Sequence, residues 1–206
     1  LRNITTNNFA MLAQHMKAEE ALPPQAATVL RLEDEVLGSF RAIVNRQLNS
    51  MRIRTHGDYH LGQVLYTGSD FLITDFEGEP SKSVSERRLR RSPLRDVAGM
   101  LRSFGYAVKT SLQERARRGL PEEAPDRAET WGRFWQAWVS GVFLQSYLEE
   151  ASKAPYLRAD REEIELLLGV FMLEKAVYEL GYELNNRPDW LSVPLQGILE
   201  LLQVES

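Results

Sequence analysis

The chain has 206 residues, of which 43% are hydrophobic and 26% are charged, and its formal net charge is −4. These values are typical of one globular domain or one large lobe, and the small negative charge excludes a general electrostatic attraction to nucleic acid or to anionic lipid. No apolar run approaches the ~20 residues of a membrane span, and the absence of cysteine excludes disulfides, thiol catalysis and thiolate metal sites.

The sequence begins Leu1-Arg2-Asn3-Ile4, which lacks an initiating methionine and does not have the pattern of a signal peptide. We therefore expect a trimmed boundary at this end. We also expect a cytoplasmic protein, a location that the absence of cysteine suits.

Two helices are predicted in the first quarter of the chain. Apolar residues recur at helical spacing within residues 1–22. The prolines at 23–24 then end this helix and can open the next one, which the same spacing predicts over about 24–49.

A small β-insert follows, because the hydrophobic period changes. Residues 51–55 are predicted to form a short strand. The runs 64–66 and 71–73 are predicted to form two strands, and the turn residues 67–70 join them as a hairpin.

The rest of the chain is predicted to be helical. We predict that Trp131, Trp135 and Trp138, on one of these helices, belong to the core and do not form a sugar platform. The fold class is therefore mainly α with a small β-hairpin insert. The predicted loops of this part are a basic loop over 77–93 and a second loop over 119–127. The predicted helices are a core helix that starts at Ser92-Pro93, a long helix that carries the tryptophans, a helix from the capping residues 160–163 to about 184, and a last helix over about 195–203.

The β-insert carries the chemically unusual residues. It contains H-G-D at 56–58, Gln63 five residues after Asp58, and D-F-E-G at 75–78 after the second predicted strand. Phosphoryl transfer from ATP needs a carboxylate at the attacking hydroxyl and oxygen ligands for magnesium. Protein kinases supply them in H-R-D-x-x-x-x-N and D-F-G. On this pattern Asp58 is the base or orienting group, and Gln63 and Asp75 bind Mg²⁺.

Each of these residues has an ordinary structural alternative, since a loop aspartate is more often a turn former or a helix cap. The conjunction of the two motifs favours the catalytic interpretation. His56 is expected to brace the loop, and His60 is expected to be a hydrogen-bonding loop residue. A zinc hydrolase is the competing interpretation, but it would need His15 from a distant helix as the third histidine.

At these residues the sequence resembles the aminoglycoside-phosphotransferase-like branch of the kinase superfamily, in which H-G-D replaces H-R-D. The resemblance covers about residues 50–200, and residues 1–49 share only helical character. Four further motifs resemble bacterial maltokinases, which often occur fused to trehalose synthase. These motifs are D-F-E-G-E-P at 75–80, E-R-R-L at 86–89, R-S-P-L-R-D-V-A-G-M-L-R-S-F at 91–104 and N-R-P-D-W at 186–190.

The resemblance implies that residues 1–206 form the helical, C-terminal lobe of a protein-kinase-like α+β fold, with the catalytic loop and metal-binding hairpin at about 51–80. It implies phosphorylation of maltose to maltose 1-phosphate with ATP and Mg²⁺, and a fused or associated trehalose synthase as a candidate partner. It also implies a smaller, β-rich lobe that clamps ATP. The sequence lacks its strands, glycine-rich loop and lysine, so we expect this chain alone to fold but to be inactive.

The resemblance also assigns further site residues. Tyr178 and Tyr182 are four residues apart and therefore share a helix face, and maltokinases place paired tyrosines of this helix at the sugar. From the residues alone, a half-buried core face is the alternative. His56 is grouped with these substrate-binding residues. The supporting residues are His60, Glu77 and Asp96, of which Asp96 either favours the helix dipole or braces the catalytic loop.

Three interpretations stay open at this point. The arginines in 87–95 form a solvated loop, an activation-segment-like loop near the phosphates or, least in keeping with the net charge, a nucleic-acid contact. The chain as a whole could be a noncatalytic interaction lobe of a trehalose synthase assembly. It could also belong to a kinase for another small alcohol or an aminoglycoside.

Overall fold

A computed structural model describes residues 2–18, 21–44, 46–79, 82–119 and 125–204, with only the backbone at 125 and 126. The fold is mainly helical with one antiparallel β-hairpin, as the sequence predicted. The elements are α1 Arg2–Lys17, α2 Gln25–Leu30, α3 Glu33–Val44, β1 Val64–Tyr66, β2 Phe71–Ile73, α4 Val84–Arg87, α5 Leu94–Arg117, α6 Pro125–Ala151, α7 Arg161–Asn186 and α8 Ser192–Leu201.

The chain divides into two compact units. The first unit consists of Leu1–Leu48 and Arg161–Ser206, and the second unit is the continuous stretch Asn49–Asp160. None of the described helices combines the length and the apolar character that crossing a membrane requires.

The first unit is a bundle of α1, α2, α3, α7 and α8 around an apolar core. Helical spacing places apolar side chains on the inner face of each helix. Their removal from water stabilises the unit. The fully buried core residues include Phe9, Leu12, Val29, Val36, Leu180, Leu195 and Ile198.

The single helix predicted over about 24–49 is wrong, because the chain forms two helices there. The backbone turns at Arg31 and Leu32, whose amides donate to the carbonyls of residues 28 and 29. Three acidic residues, 33–35, then occupy the first turn of α3. Negative charge is stabilised at a helix N-terminus, and this favours a new helix at that point.

In the second unit, α5 packs on α6. The Phe104 ring makes edge contacts with Trp135 and Phe143, at centroid distances of 6.1 and 5.9 Å. In the hairpin, Val64 pairs with Ile73 and Tyr66 pairs with Phe71. This register matches the predicted hairpin.

Two predictions near the hairpin need correction. The strand predicted over 51–55 is a single antiparallel bridge between Ile53 and Arg91, with both backbone hydrogen bonds at 2.9 Å. The loop predicted over 77–93 contains the four-residue helix α4. Ser83 and Glu86 form a capping box at its start, which stabilises so short a helix. Within this stretch, residues 80 and 81 lie outside the described residues.

Helix boundaries also differ from the predictions. Pro93, and not Ser92, occupies the cap position of α5, and no side chain caps that end. The last helix starts at Ser192, after a 3-10 turn over Pro188–Trp190. The loop predicted over 119–127 is described only at 119 and from 125 onward, where α6 has begun.

The prediction that the tryptophans of α6 belong to the core is wrong. Trp131 is 59% exposed and Trp138 is 66% exposed. The side of α6 that carries Gly132 approaches α5, and a Cβ on Gly132 would collide with Val108 there. Helical spacing identified an apolar stripe correctly, but spacing alone does not say whether a stripe is covered.

Candidate active site

The loop over residues 56–61 is held on one face of α5. Asp96 accepts hydrogen bonds from the amides of His56 (2.7 Å, Oδ2) and Gly57 (2.9 Å, Oδ1). The Ser103 hydroxyl accepts a hydrogen bond from the amide of Leu61 at 3.1 Å. Spacings of three or four residues lie on one side of a helix, so α5 presents these groups together.

Gly99 lies between Asp96 and Ser103 on this face, and it brings the loop into direct contact with the helix. A Cβ at this position would lie 2.6 Å from the carbonyl oxygen of Tyr59. A side chain there would force the loop away from α5. Sequence analysis did not single out Gly99 or Ser103, although the spacing D-x-x-G-x-x-x-S within α5 was visible.

Burial raises the pKa of Asp96, and the hydrogen bonds donated by the two loop amides oppose this rise. Burial also raises the pKa of Tyr59, and the negative charge of Asp96 adds to the effect. Asp96 is therefore a desolvated carboxylate whose charge is balanced by the loop backbone, which is the geometry of a brace.

His56 links the loop to the end of β2. Its Nε2 lies 2.7 Å from the carbonyl oxygen of Thr74, and its Nδ1 accepts a hydrogen bond from the amide of Asp58 at 3.4 Å. The ring is 8% exposed and packs against Phe76 at 4.9 Å. Both ring nitrogens contact the protein, so this geometry supports the bracing role of His56 and not its grouping with the substrate-binding residues.

Two glycines allow the H-G-D loop and the D-F-E-G turn to touch. Gly57 and Gly78 have φ angles of 87° and 79°, which residues with a side chain rarely adopt. A Cβ on Gly57 would lie 3.4 Å from the Cα of Gly78. Both motifs therefore need glycine at these positions, because a residue with a side chain would disfavour the backbone conformation found there.

The hairpin brings Gln63 and Asp75 together. The amide of Thr74 donates to the carbonyl of Gln63 at 2.9 Å, which continues the strand pairing. The Gln63 side chain then donates from Nε2 to Asp75 Oδ2 at 3.0 Å. Asp75 has a φ of 61°, an uncommon conformation for a residue with a side chain, and one that is typical of functional turns.

These two side chains fit a hard cation. A carboxylate and an amide oxygen are ligands that Mg²⁺ accepts, and Mg²⁺ completes its shell with water and phosphate oxygens. The Gln63 amide now offers its nitrogen to Asp75, so binding would require the amide to turn its oxygen to the metal. Among the described residues, no three His, Asp or Glu side chains are grouped to hold a metal, which is the arrangement that the zinc interpretation needs.

Asp58 and His60 lie side by side at the mouth of the loop. His60 Nε2 is 3.9 Å from Asp58 Oδ2, and the Asp58 side chain is 17% exposed. His60 Nδ1 accepts a hydrogen bond from the amide of Gly62 at 3.0 Å and so caps the 3-10 turn over Leu61–Gln63. His60 is therefore a hydrogen-bonding loop residue, one of the interpretations drawn from the sequence.

Arg87, in the basic run, contacts the D-F-E-G turn. Its Nη1 donates to the carbonyl of Glu77 at 3.4 Å, and its side chain lies alongside Gly78. This contact is made by the backbone carbonyl of Glu77 and not by its side chain. Other arginines of the run, at 88, 90 and 91, are exposed.

Tyr178 and Tyr182 belong to the first unit, on α7. Tyr182 is 46% exposed, and the guanidinium of Arg187 lies 5.3 Å from its ring centroid and 5.0 Å from that of Trp190. Arg187 also makes two hydrogen bonds, of 3.0 and 2.7 Å, to the buried Glu183. The N-R-P-D-W motif therefore holds an aromatic and charged cluster together. The role of the two tyrosines at a sugar stays a prediction.

Comparison with known proteins identifies sugar kinases as relatives. No protein-family model matches the chain. A glucosamine kinase of Streptacidiphilus jiangxiensis is 26% identical over 196 residues, which is 91% of this chain and 42% of that protein. A glucosamine kinase of Mycolicibacterium smegmatis is 27% identical over 148 residues, which is 71% of this chain and 34% of that protein.

Solved structures of glucosamine kinases share the fold. A complex with glucosamine, ADP and inorganic phosphate superimposes with a TM-score of 0.71 and 21% identity, over 97% of this chain and 47% of the other. A second crystal form gives a TM-score of 0.69 at 20% identity. The chain thus has the fold of the part of a kinase-like phosphotransferase that it spans, which is less than half the length of these relatives.

The comparisons also bear on the maltokinase interpretation. The relatives named here are glucosamine kinases, which supports a sugar kinase-like phosphotransferase and not maltokinase in particular. They give no support to maltose or to a trehalose synthase partner.

Proposed function

We propose that this chain carries the catalytic and metal-binding residues of an ATP-dependent sugar kinase. The observation that supports it is the convergence of the H-G-D and D-F-E-G motifs, which the β-hairpin brings together. His56 joins the H-G-D loop to the residue before Asp75, and Gln63 of the same segment contacts Asp75 directly. A kinase needs these groups in one place, whereas ordinary turn formers do not.

In the proposed reaction, Asp58 accepts the proton of the attacking sugar hydroxyl. The hydroxyl oxygen forms a bond to the γ-phosphorus of ATP as the bond from that phosphorus to the β,γ-bridging oxygen breaks, and ADP leaves. Asp75 and Gln63 would hold Mg²⁺, which neutralises phosphate charge when bound. Asp96 and Gly99 keep the Asp58 loop fixed on α5, and positioning of this kind provides much of the rate of phosphoryl transfer.

We propose an amino sugar such as glucosamine as the acceptor. The support is that the two sequence relatives described above are glucosamine kinases and that a structural neighbour was solved with glucosamine and ADP. Maltose is the second candidate, which the 91–104 and 186–190 motifs favour. A noncatalytic interaction lobe is the alternative from another class.

Acceptor selectivity tests this proposal. We expect the full-length gene product, with Mg-ATP, to show a kcat/KM for glucosamine that exceeds those for maltose and glucose by at least about tenfold, because a site built for a polar group rejects ligands that lack it. A coupled ADP-release assay measures this. A preference for maltose would instead establish the maltokinase interpretation, and no transfer to any sugar would favour the noncatalytic lobe.

Metal dependence tests the role of Asp75. In the Asp75→Ala variant we expect the Mg²⁺ concentration for half-maximal turnover to rise by at least about tenfold, because one of two protein ligands is lost. The matched control is Asp70→Ala, at the other end of β2, where the carboxylate accepts a hydrogen bond from the amide of Phe71. Equal Mg²⁺ dependence in the wild type and the Asp75 variant would contradict the assignment.

A further inference from the structure

Helix α6 leaves an aromatic face open to solvent, which we call the α6 face. It comprises Trp131 (59% exposed), Phe134 (57%), Trp135 (43%), Trp138 (66%) and Val142 (51%). Their exposed surface amounts to on the order of 600 Å², and monomeric proteins rarely expose so large a contiguous apolar patch without a function for it. We therefore expect another molecule to cover the α6 face.

The rings of the α6 face pack on one another. Trp131 and Phe134 meet edge to face, with centroids 5.6 Å apart, and Phe134 and Trp138 stack at 6.4 Å with an interplanar angle of 20°. A platform for a sugar ring needs an open aromatic face, but here ring faces are turned toward each other. A compact aromatic ridge of this kind fits a protein surface better.

Charged residues stand at the two ends of the α6 face. Arg127 lies near the start of α6 and Glu149 near its end, and both are exposed. At 100° per residue they are about 40° apart around the helix, and about 33 Å apart along it. Glu149 also accepts a hydrogen bond from Gln145 within the helix, at 2.9 Å.

These positions are symmetric about Trp138. Arg127 and Glu149 each lie eleven residues from it, and Phe134 and Val142 each lie four residues from it. If a second α6 runs antiparallel across a two-fold axis at Trp138, each Arg127 meets the Glu149 of the other copy and each Phe134 meets a Val142. Such self-complementarity is what an isologous interface requires.

We propose that the α6 face is a homodimer interface, with a second copy of this chain as its occupant and α6 antiparallel to its symmetry mate. The area of on the order of 600 Å² per chain is somewhat below the roughly 800 Å² per partner of a standard interface. We therefore expect a weak dimer that forms reversibly with concentration. This proposal does not depend on the proposed function.

Sedimentation equilibrium on the 206-residue chain, from about 1 to 200 μM, tests the proposal, because a weak dimer changes its degree of association over such a range. The wild type should pass from monomer to dimer. Trp138→Glu should weaken the dimer at least about 100-fold, because two like charges would meet at the axis of a buried aromatic contact. The matched control is Arg133→Glu, an exposed residue on the opposite side of α6, which should leave the dimer unchanged.

Charge-reversal variants test whether the molecule that covers the α6 face is a second copy of this chain or a different molecule. Arg127→Glu alone and Glu149→Arg alone should each weaken the dimer about tenfold, since each creates a like-charge pair at both ends. The double variant should restore the affinity to within about twofold. A wild-type monomer at every concentration, a dimer insensitive to Trp138→Glu, or a double variant no tighter than the single ones would overturn the antiparallel pairing. All four positions are exposed, and circular dichroism melting curves monitor folding.

Discussion

We expect the Asp58→Asn variant of the full-length gene product to lose about 10²–10⁴-fold in kcat, while the affinity for the sugar stays within about tenfold. The amide keeps the shape of the side chain but cannot accept a proton from the hydroxyl. Because the backbone of residue 58 is held by His56, the substitution should leave the loop in place.

The measurement is steady-state kinetics with both substrates varied, beside a melting curve. The control is Asp70→Asn, which alters an exposed carboxylate of the hairpin turn and should leave kcat within about twofold of wild type. If Asp58→Asn retains more than about a tenth of the wild-type kcat, Asp58 is not the catalytic group.

The second large effect is expected from Gly99→Ala. Its Cβ would lie 2.6 Å from the carbonyl oxygen of Tyr59, a backbone atom that cannot rotate away. The loop would have to move from α5, which strains the hydrogen bonds of Asp96 and Ser103. We expect a loss of ~1–3 kcal/mol in the free energy of unfolding and a clear fall in kcat.

A matched control makes this test specific. Gly141→Ala is also a glycine-to-alanine change within a long helix, but a Cβ there would meet no atom within 4 Å. That substitution should be neutral, or stabilise the protein by up to about 1 kcal/mol, because alanine favours helix. Similar melting temperatures and kcat values for the two variants would show that the loop does not depend on the close approach at Gly99.

The hairpin and its site residues could be predicted from sequence because local signals fix them. Turn residues between two short β runs set the register, and the register brings residue 63 beside residue 74. The glycines of H-G-D and D-F-E-G mark the left-handed turns at Gly57 and Gly78. Local chemistry therefore determined which side chains meet.

Other features depend on which elements of the fold pack against each other. Sequence periodicity does not contain that information. The break at Arg31 and Leu32 interrupts an apolar pattern that itself continues. The stripe of Trp131 and Trp138 has core spacing yet remains open to solvent. Gly99 matters because of a loop that is distant in sequence.

The sugar is the part of the function that the catalytic motif specifies least. The motif sets how phosphate is transferred, whereas the acceptor is chosen by groups on other elements. This difference explains why the sequence indicated a kinase-like phosphotransferase while the predicted maltose acceptor found no support among the relatives named above.

We propose that the Asp58 loop and the Asp75 turn together support transfer of the γ-phosphoryl group of ATP to a sugar hydroxyl. The most direct measurement is ³¹P nuclear magnetic resonance of the full-length gene product with Mg-ATP and glucosamine, with the Asp58→Asn variant as the blank. We expect a sugar phosphate resonance to grow in step with ADP, and we expect the blank to show neither. ADP formed together with inorganic phosphate and no sugar phosphate, or equal product in the blank, would contradict it.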